Sequence, residues 1–344
     1  MKQIMQRVAL GALMAATLSL TTGVGARADD MKVTMMVGGV DKQIYLPYQL
    51  AQNLGFFKKH GIDMELSTEN DAVGAEDAMI SGQVDMAGAW YNHTIDFQLH
   101  GKKVIEIVQL SGAPGEREMC AKDSNIKSPA DWADKTVGVT DIGSGTDALT
   151  LYLAAHSGLT SDKFSRLGVG AGATLIAGLI HGQIVCGMTT QPTVSAIEKK
   201  GIGYSAFDLA TTEGVKKWLG GTWPTASIIV RADWVEKHPE ETQRVVTAMV
   251  ETMHWISTHS AADIADNLPK DFVSNQLTSR QDYIDALNQD KGQFLPDGMM
   301  PPDGPATVLD VLKKAGKITG PVDLASTYTN DYVIKANKEL GFTK

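Results

Sequence analysis

The chain has 344 residues, 43% of them hydrophobic and 21% charged, and its 40 acidic against 31 basic side chains give a net charge of −9. A field of that sign favours neither nucleic acid nor an anionic membrane as a partner, although it leaves room for a local anion site. The two cysteines, Cys120 and Cys186, leave two readings open: a disulfide in an oxidising compartment, or a pair of buried small apolar side chains.

The first residues read as a delivery signal. Lys2 and Arg7 form a short basic region, residues 8–20 are an uncharged and largely apolar run too short to span a bilayer, and Ala26-Arg27-Ala28 has the form of a cleavage site. A signal peptide over 1–28 is expected; its removal takes Lys2, Arg7 and Arg27 away and moves the net charge to −12. No cysteine lies at the cut to carry a lipid anchor. The remainder is long for one domain and comfortable for two.

Residues 32–37 read as a buried strand, 45–57 as an amphipathic helix with Pro47 in its first turn and Gly55 near its end, and 62–66 as an alternating strand. A helix over 74–81 closed by Gly82, a strand over 84–89, a helix near 94–100 and a strand over 104–110 follow. Short loops in such a βαβαβ unit imply a parallel sheet. A second unit begins at 118–121 and repeats the order, with strand 136–140, helix 146–157, strand 165–168, helix 173–180 and strand 184–188. The repeat extends to single positions. Residues 79–90 align without a gap on 179–190, and Leu46, Leu50 and Ala51 match Leu149, Leu153 and Ala154 at a constant offset.

Residues 225–231 read as a strand crossing back to the first unit. A helix over 233–259 carries Val235, Val245, Val246, Met249, Val250, Met253 and Ile256 on one face, 296–305 is a Pro/Gly-rich loop, and 306–315 and 326–340 are helices. Two similar units joined by two crossings predict an α/β protein of two lobes, each a mostly parallel sheet flanked by helices, with the crossing strands as hinge. The expected division is 29–115 for the first lobe, 116–224 for the second, and 225–344 returning to the first. Ligands in such units sit beyond the carboxyl ends of the strands, so two facing units make a cleft.

Asp141-Ile142-Gly143-Ser144-Gly145-Thr146-Asp147 stands where a strand gives way to a helix. Free amides and the positive end of the helix dipole suit a carboxylate, sulfonate or phosphate there, with Ser144 and Thr146 as hydroxyl donors and Gly145 allowing close approach; the competing reading is an ordinary N-cap. Gln43 and Tyr45 occupy the matching loop of the first unit. The third strands end in Trp90-Tyr91-Asn92 and in Thr190-Gln191, so the rings can flank an apolar ligand part while Asn92 fixes orientation. Trp90 or Tyr91 can equally close the sheet's core. Trp223 offers an aromatic at the second crossing, and Arg117 a counter-charge at the first, unless it is simply an exposed arginine.

Enzyme signatures are weak. Gly168-Val169-Gly170-Ala171-Gly172-Ala173 has the form of a dinucleotide fingerprint, but no Asp or Glu follows within 174–193 to hold a ribose. The eight histidines show no metal-ligand spacing, and Gly143-Ser144-Gly145 lacks the spacing of a nucleophile elbow. No catalytic residue, metal or cofactor is therefore expected.

The run from Tyr45 through Gly55-Phe56-Phe57-Lys58-Lys59-His60-Gly61-Ile62 to Leu66, the run from Ser128-Pro129-Ala130-Asp131-Trp132 to Val139, residues 168–174 and Gly187-Met188-Thr189-Thr190-Gln191-Pro192-Thr193 resemble the periplasmic solute-binding proteins of nitrate, taurine and alkanesulfonate importers, relatives of thiamine-precursor binding proteins. The resemblance covers nearly the whole chain after the leader. It implies a type II-like, two-lobed periplasmic binding protein of an ATP-driven importer, read by the permease in the inner membrane; with the helix start near Ser144 and the flanking aromatic side chains, the expectation is a monomer that closes on a small organic anion, a sulfonate or a carboxylate, with or without an aromatic ring. Carried over, ligand contacts fall on Gln43, Tyr45, Trp90, Tyr91, Asn92, Ser144, Gly145, Thr146, Thr190 and Gln191. The family's acidic residue after Gly-Gln is present as Asp85 but replaced by Val185 in the second copy, a position that is more structural than ligand-binding. The alternatives are a receptor for a thiamine-precursor-like pyrimidine, a sensor subunit for a receptor kinase, and a pyrimidine-synthesising enzyme on the same fold, whose cysteine-rich iron-binding stretch this chain lacks.

Overall fold

A computed structural model describes residues 30–342; the expected signal peptide lies outside them. Ten strands form two mixed sheets: β1 (Met31–Val37), β2 (Ile62–Thr68), β3 (Met86–Trp90), β4 (Val104–Gln109), β5 (Glu116–Ala121), β6 (Thr136–Val139), β7 (Ser165–Gly168), β8 (Cys186–Thr190), β9 (Gly203–Asp208) and β10 (Ala226–Arg231). The first sheet runs β2-β1-β3-β10-β4 and the second β7-β6-β8-β5-β9. These are the same pattern. The repeat in the sequence is thus a repeat of pairing, with Met35 of β1 opposite Met86 of β3 and Val137 of β6 opposite Cys186 of β8.

In each sheet one strand is antiparallel, and each is delivered by a crossing. β5 follows directly on β4 of the first sheet and runs against β8 and β9 of the second; β10 follows β9 of the second and runs against β3 and β4 of the first. Two chain segments therefore join the lobes side by side, a geometry that permits swinging and resists separation.

Local chemistry sets the element ends. The Asp71 carboxylate accepts from the Gly74 amide to start helix Ala72–Ser81, and Gly82, left-handed at φ 82°, stops it. β3 and β8 are buried along their whole length, as central strands covered on both faces must be. Cys120 and Cys186 face one another across β5 and β8 and form a disulfide within the second sheet.

Several elements differ from the sequence reading. The helix expected over 45–57 is a turn at Gln43–Tyr45 followed by helices Leu46–Asn53 and Phe56–Lys59, because Gly55 is left-handed at φ 72° and breaks the hydrogen-bond run. The helix expected over 233–259 is two, Ala232–Lys237 and Pro239–Thr258: Pro239 lacks an amide and pushes His238 out of the helical region, to φ −127° and ψ 52°. The third strands start two residues late, at Met86 and Cys186. Asp85 and Val185 instead bond back to Thr34 and Thr136 as the chain enters the sheet. The helix expected over 326–340 begins only at Asp331. β9 escaped detection because its half-buried edge shows little alternation.

Asp85 is structural, as the resemblance implies. Its carboxylate accepts from the Thr34 amide at 2.9 Å, the Thr34 hydroxyl at 2.8 Å and the Trp234 indole N–H at 2.9 Å, tying β1 to helix Ala232–Lys237. Asp85→Ala strands three donors and should cost about 1–3 kcal/mol, read as a lower urea midpoint at unchanged slope; stability equal to wild type contradicts this role.

Candidate functional site

Between the sheets lies a small, partly enclosed cavity. The first lobe contributes Gly38, Lys42 and Tyr45 from beyond β1 and Trp90 from the end of β3; the second contributes Thr140, Ser144, Gly145 and Thr146 from beyond β6, and Glu116 enters at the crossing where β5 begins. All the loops that build it follow the carboxyl ends of parallel strands, the position this architecture assigns to ligands.

Helix Gly145–His156 starts at the cavity wall. Ser144 is its N-cap and accepts from the Asp147 amide. The hydroxyls of Thr140, Ser144 and Thr146 form a triangle with sides of 2.9–3.0 Å, and Thr146 also accepts from the Thr140 amide at 2.9 Å. These hydroxyls satisfy one another. The amides of Gly145 and Thr146 have no acceptor among the described residues, so the donors this wall offers are backbone N–H groups at the positive end of a helix. Asp147, one turn in, does not oppose an incoming anion: its carboxylate is paired with Arg166, accepts from the Gly143 amide at 3.0 Å and lies 3.5 Å from Lys317.

Trp90 covers this helix start. A methyl group at Gly145 would overlap Cε3 and Cζ3 of the indole, so glycine is what lets the first lobe's aromatic lie on the second lobe's helix. Tyr45 is buried beside Trp90, with its ring 5.9 Å from that of Tyr48 and from the Lys42 ammonium. Lys42 donates to the carbonyls of Gly38 at 2.8 Å and Asn70 at 3.1 Å. Glu116 is 97% buried and its Oε2 has no partner. Burial raises its carboxyl to about 8, with Lys42 and Arg117 pulling the other way, and burial in turn lowers the Lys42 ammonium.

Beside the cavity lies a broad groove between the lobes, lined on one side by Asp41, Glu69 and Asn70 and on the other by the glycine-rich loop 168–172 together with Gln191 and Pro192. The dinucleotide-like fingerprint thus forms the cleft's rim.

Of the positions singled out in the sequence, Tyr45, Trp90, Ser144, Gly145 and Thr146 come together in the cavity lining. Gln43 lies just outside it as an interlobe clasp, its amide donating to the Gln191 carbonyl at 3.1 Å and its side chain to the Tyr283 carbonyl at 2.8 Å. Gln191 reaches only the outer groove, and its side-chain oxygen accepts from the Ser195 amide. Tyr91 turns into the first lobe, bonded through its hydroxyl to Thr327 at 2.6 Å and edge-on to Tyr328. Asn92, Thr190 and Trp223 are buried outside the lining. Arg117 is neither exposed nor on the cavity: it makes a bidentate pair with Asp290 at 2.7 and 2.8 Å. Sequence reasoning missed Lys42, Thr140 and Glu116. The only prior signal for Glu116 was its place at a crossing.

The family model described as "NMT1/THI5 like" matches residues 44–262, and the chain belongs to that family. The bicarbonate-binding protein CmpA of Synechococcus elongatus is 26% identical over 259 residues, which are 67% of this chain and 55% of that protein; the chain spans about half the length of this curated relative. A 4-amino-5-hydroxymethyl-2-methylpyrimidine phosphate synthase of Saccharomyces cerevisiae, THI5, is 20% identical over 317 residues, 88% of each chain. A solved structure from Bordetella bronchiseptica is 30% identical, with a TM-score of 0.83 over 91% of this chain and 99% of that one. The solved periplasmic nitrate-binding protein NrtA of Synechocystis PCC 6803 shares the fold, at 16% identity and a TM-score of 0.68 over 91% of this chain and 90% of that one.

Gly145→Ala tests the contact between the lobes. The backbone tolerates alanine, so the melting temperature should stay near wild type, whereas the added methyl holds Trp90 off the helix and should weaken ligand binding at least about tenfold by calorimetry. Undiminished binding would show that Trp90 does not close on Gly145.

Proposed function

We propose that this member of the NMT1/THI5-like family is the solute receptor of an ATP-driven importer, exported to the periplasm, working as a monomer and taking up a small organic acid. One observation carries the reading: two lobes joined by paired crossings meet at a cavity whose second-lobe wall presents the unpaired amides of Gly145 and Thr146 at a helix start. An acid group seated there accepts hydrogen bonds that no protein group supplies with a partner, and the Trp90 and Tyr45 rings cover the ligand's apolar part. Because the ligand touches both lobes, it binds the closed form better than the open one and shifts the population towards it. The closed form is what an inner-membrane permease would recognise. The naming of a relative as a bicarbonate-binding protein supports a receptor role and an anionic solute.

The second reading is a receptor for a thiamine-precursor-like pyrimidine. It is favoured by the yeast relative's name and by a largely uncharged acid, Glu116, in the cavity, which can bond a heterocycle's nitrogens.

Calorimetry of the chain from residue 29 against sulfonates, carboxylates and 4-aminopyrimidines separates the two. The first reading expects an acid to bind at least about a hundredfold more tightly than any neutral pyrimidine. Tight binding of a pyrimidine with no acid bound would overturn it.

A further inference from the structure

Residues 260–290 leave the first lobe and return to it. Helix Pro239–Thr258, packed on helices Leu46–Asn53 and Phe56–Lys59, gives way at His259 to three short helices, Ala261–Asp266, Lys270–Val273 and Arg280–Asp290. The Lys291 ammonium donates to the His259 carbonyl, so the two ends of this excursion are pinned together. Between those ends the excursion touches both lobes.

Its hold on the first lobe is firm. Gln43 Nε2 donates to the Tyr283 carbonyl at 2.8 Å in the interior, and Asn53 Nδ2 donates to the Asn267 carbonyl at 2.8 Å. The two donors stand at opposite ends of helix Leu46–Asn53, so together they fix orientation as well as position. At the first crossing, Asp290 holds the buried bidentate pair with Arg117, and just beyond it the Gln293 carbonyl accepts from the Gly112 amide at 2.9 Å.

The hold on the second lobe is lighter. Asp282 pairs with Lys199, both side chains partly in water. Leu277, half-buried, packs on the apolar cluster that includes Leu175 and Ile184, and lies 3.4 Å from where a Cβ on Gly172 would stand. An exposed ion pair contributes little and a half-buried leucine keeps part of its surface in water, whereas breaking a buried hydrogen bond strands both partners. If the lobes separate, the second-lobe contacts are therefore the ones that give.

We propose that residues 260–290 are a strap of the first lobe, anchored at the first crossing, that clamps the second lobe through Leu277 and Asp282 in the closed form and releases it when the cleft opens. The anchor at the crossing lies where the lobes turn about one another, so opening does not require it to break. Phe272, Asn275 and Leu277 line the groove between the lobes, so the docked strap narrows the way in and the released strap widens it. The strap itself stands on these contacts; its part in solute entry rests on the receptor reading above. It adds to the two continuous crossings a third link that is made and broken.

The experiment measures distances between paired spin labels in the ligand-free protein. Labels at Gln276 on the strap, Gln52 on the first lobe and Lys200 on the second occupy exposed positions, and a further pair at Glu69 and Leu167 reports opening of the lobes themselves. We expect a single narrow distance from Gln52 to Gln276, and two populations from Lys200 to Gln276, one short and docked, one longer. Asp282→Lys, which sets two cations against each other, should lower the docked-to-released ratio at least about threefold, and adding Lys199→Asp to it should restore the ratio. Circular dichroism checks that both variants are folded. A narrow distance from Lys200 to Gln276 while the Glu69 and Leu167 pair spreads places the excursion on the second lobe, which overturns the strap and leaves the receptor standing. A ratio unmoved by Asp282→Lys overturns the clamp in the same way. Single narrow distances for every pair mean that the lobes do not open and overturn both. Should the variants not fold, the wild-type distances decide alone.

Discussion

Everything in this molecule depends on an exchange of strands. Each sheet contains one antiparallel strand, β10 in the first and β5 in the second, and each arrives by a segment that has just left the other sheet. Neither sheet is complete without the other half of the chain. The lobes therefore cannot come apart without unfolding, and opening and closing about the two crossings is the motion that keeps both sheets intact. The strand-end loops of both sheets face the closing gap, which explains why side chains as distant in sequence as Lys42, Trp90, Glu116 and Gly145 line one cavity.

The chemistry of that cavity follows from what each wall has left over. On one side three hydroxyls consume one another's hydrogen bonds and leave backbone amides as the free donors; on the other, a carboxyl sits without a donor. Two charges beside it are paired within the protein, Asp147 with Arg166 and Lys317 and Arg117 with Asp290, while the Lys42 ammonium stays on the lining, held by the Gly38 and Asn70 carbonyls. These ion pairs tie down the helix start and the crossing strand. The overall negative charge of the chain says little about the ligand, because the field at the cavity is set by a helix end, the Lys42 ammonium and one buried acid.

Much of the architecture was legible because it is local and repeated. Gly82 and Gly182 stop equivalent helices, the central strands are short apolar runs, and the matching of 79–90 with 179–190 carries the duplication in the sequence itself. The N-cap at Ser144 and the glycine beside it were legible for the same reason. What stayed hidden is non-local. Whether Tyr91 or its neighbour Trp90 faces the cleft is decided by the pleat and by Thr327, far along the chain, which takes the Tyr91 hydroxyl. Nothing local in the sequence marks Glu116 or Lys42 as cavity residues; the crossing of β5 past the first lobe brings them onto one lining. The break at Pro239 was legible in principle, since a proline after a histidine disfavours helix at the histidine, but the apolar stripe continuing on both sides masked it.

The central claim is that a ligand in the cavity holds the lobes together, and the most direct measurement is the distance across the cleft mouth in solution. Spin labels at Glu69 and Leu167, both exposed and on opposite sides of the outer groove, report it; the native cysteines are joined to one another and do not compete for the label. The account predicts a broad distribution in the empty protein that shifts to a shorter, narrower one on adding a sulfonate or carboxylate that binds in calorimetry. Binding that leaves the distance distribution unchanged would contradict it.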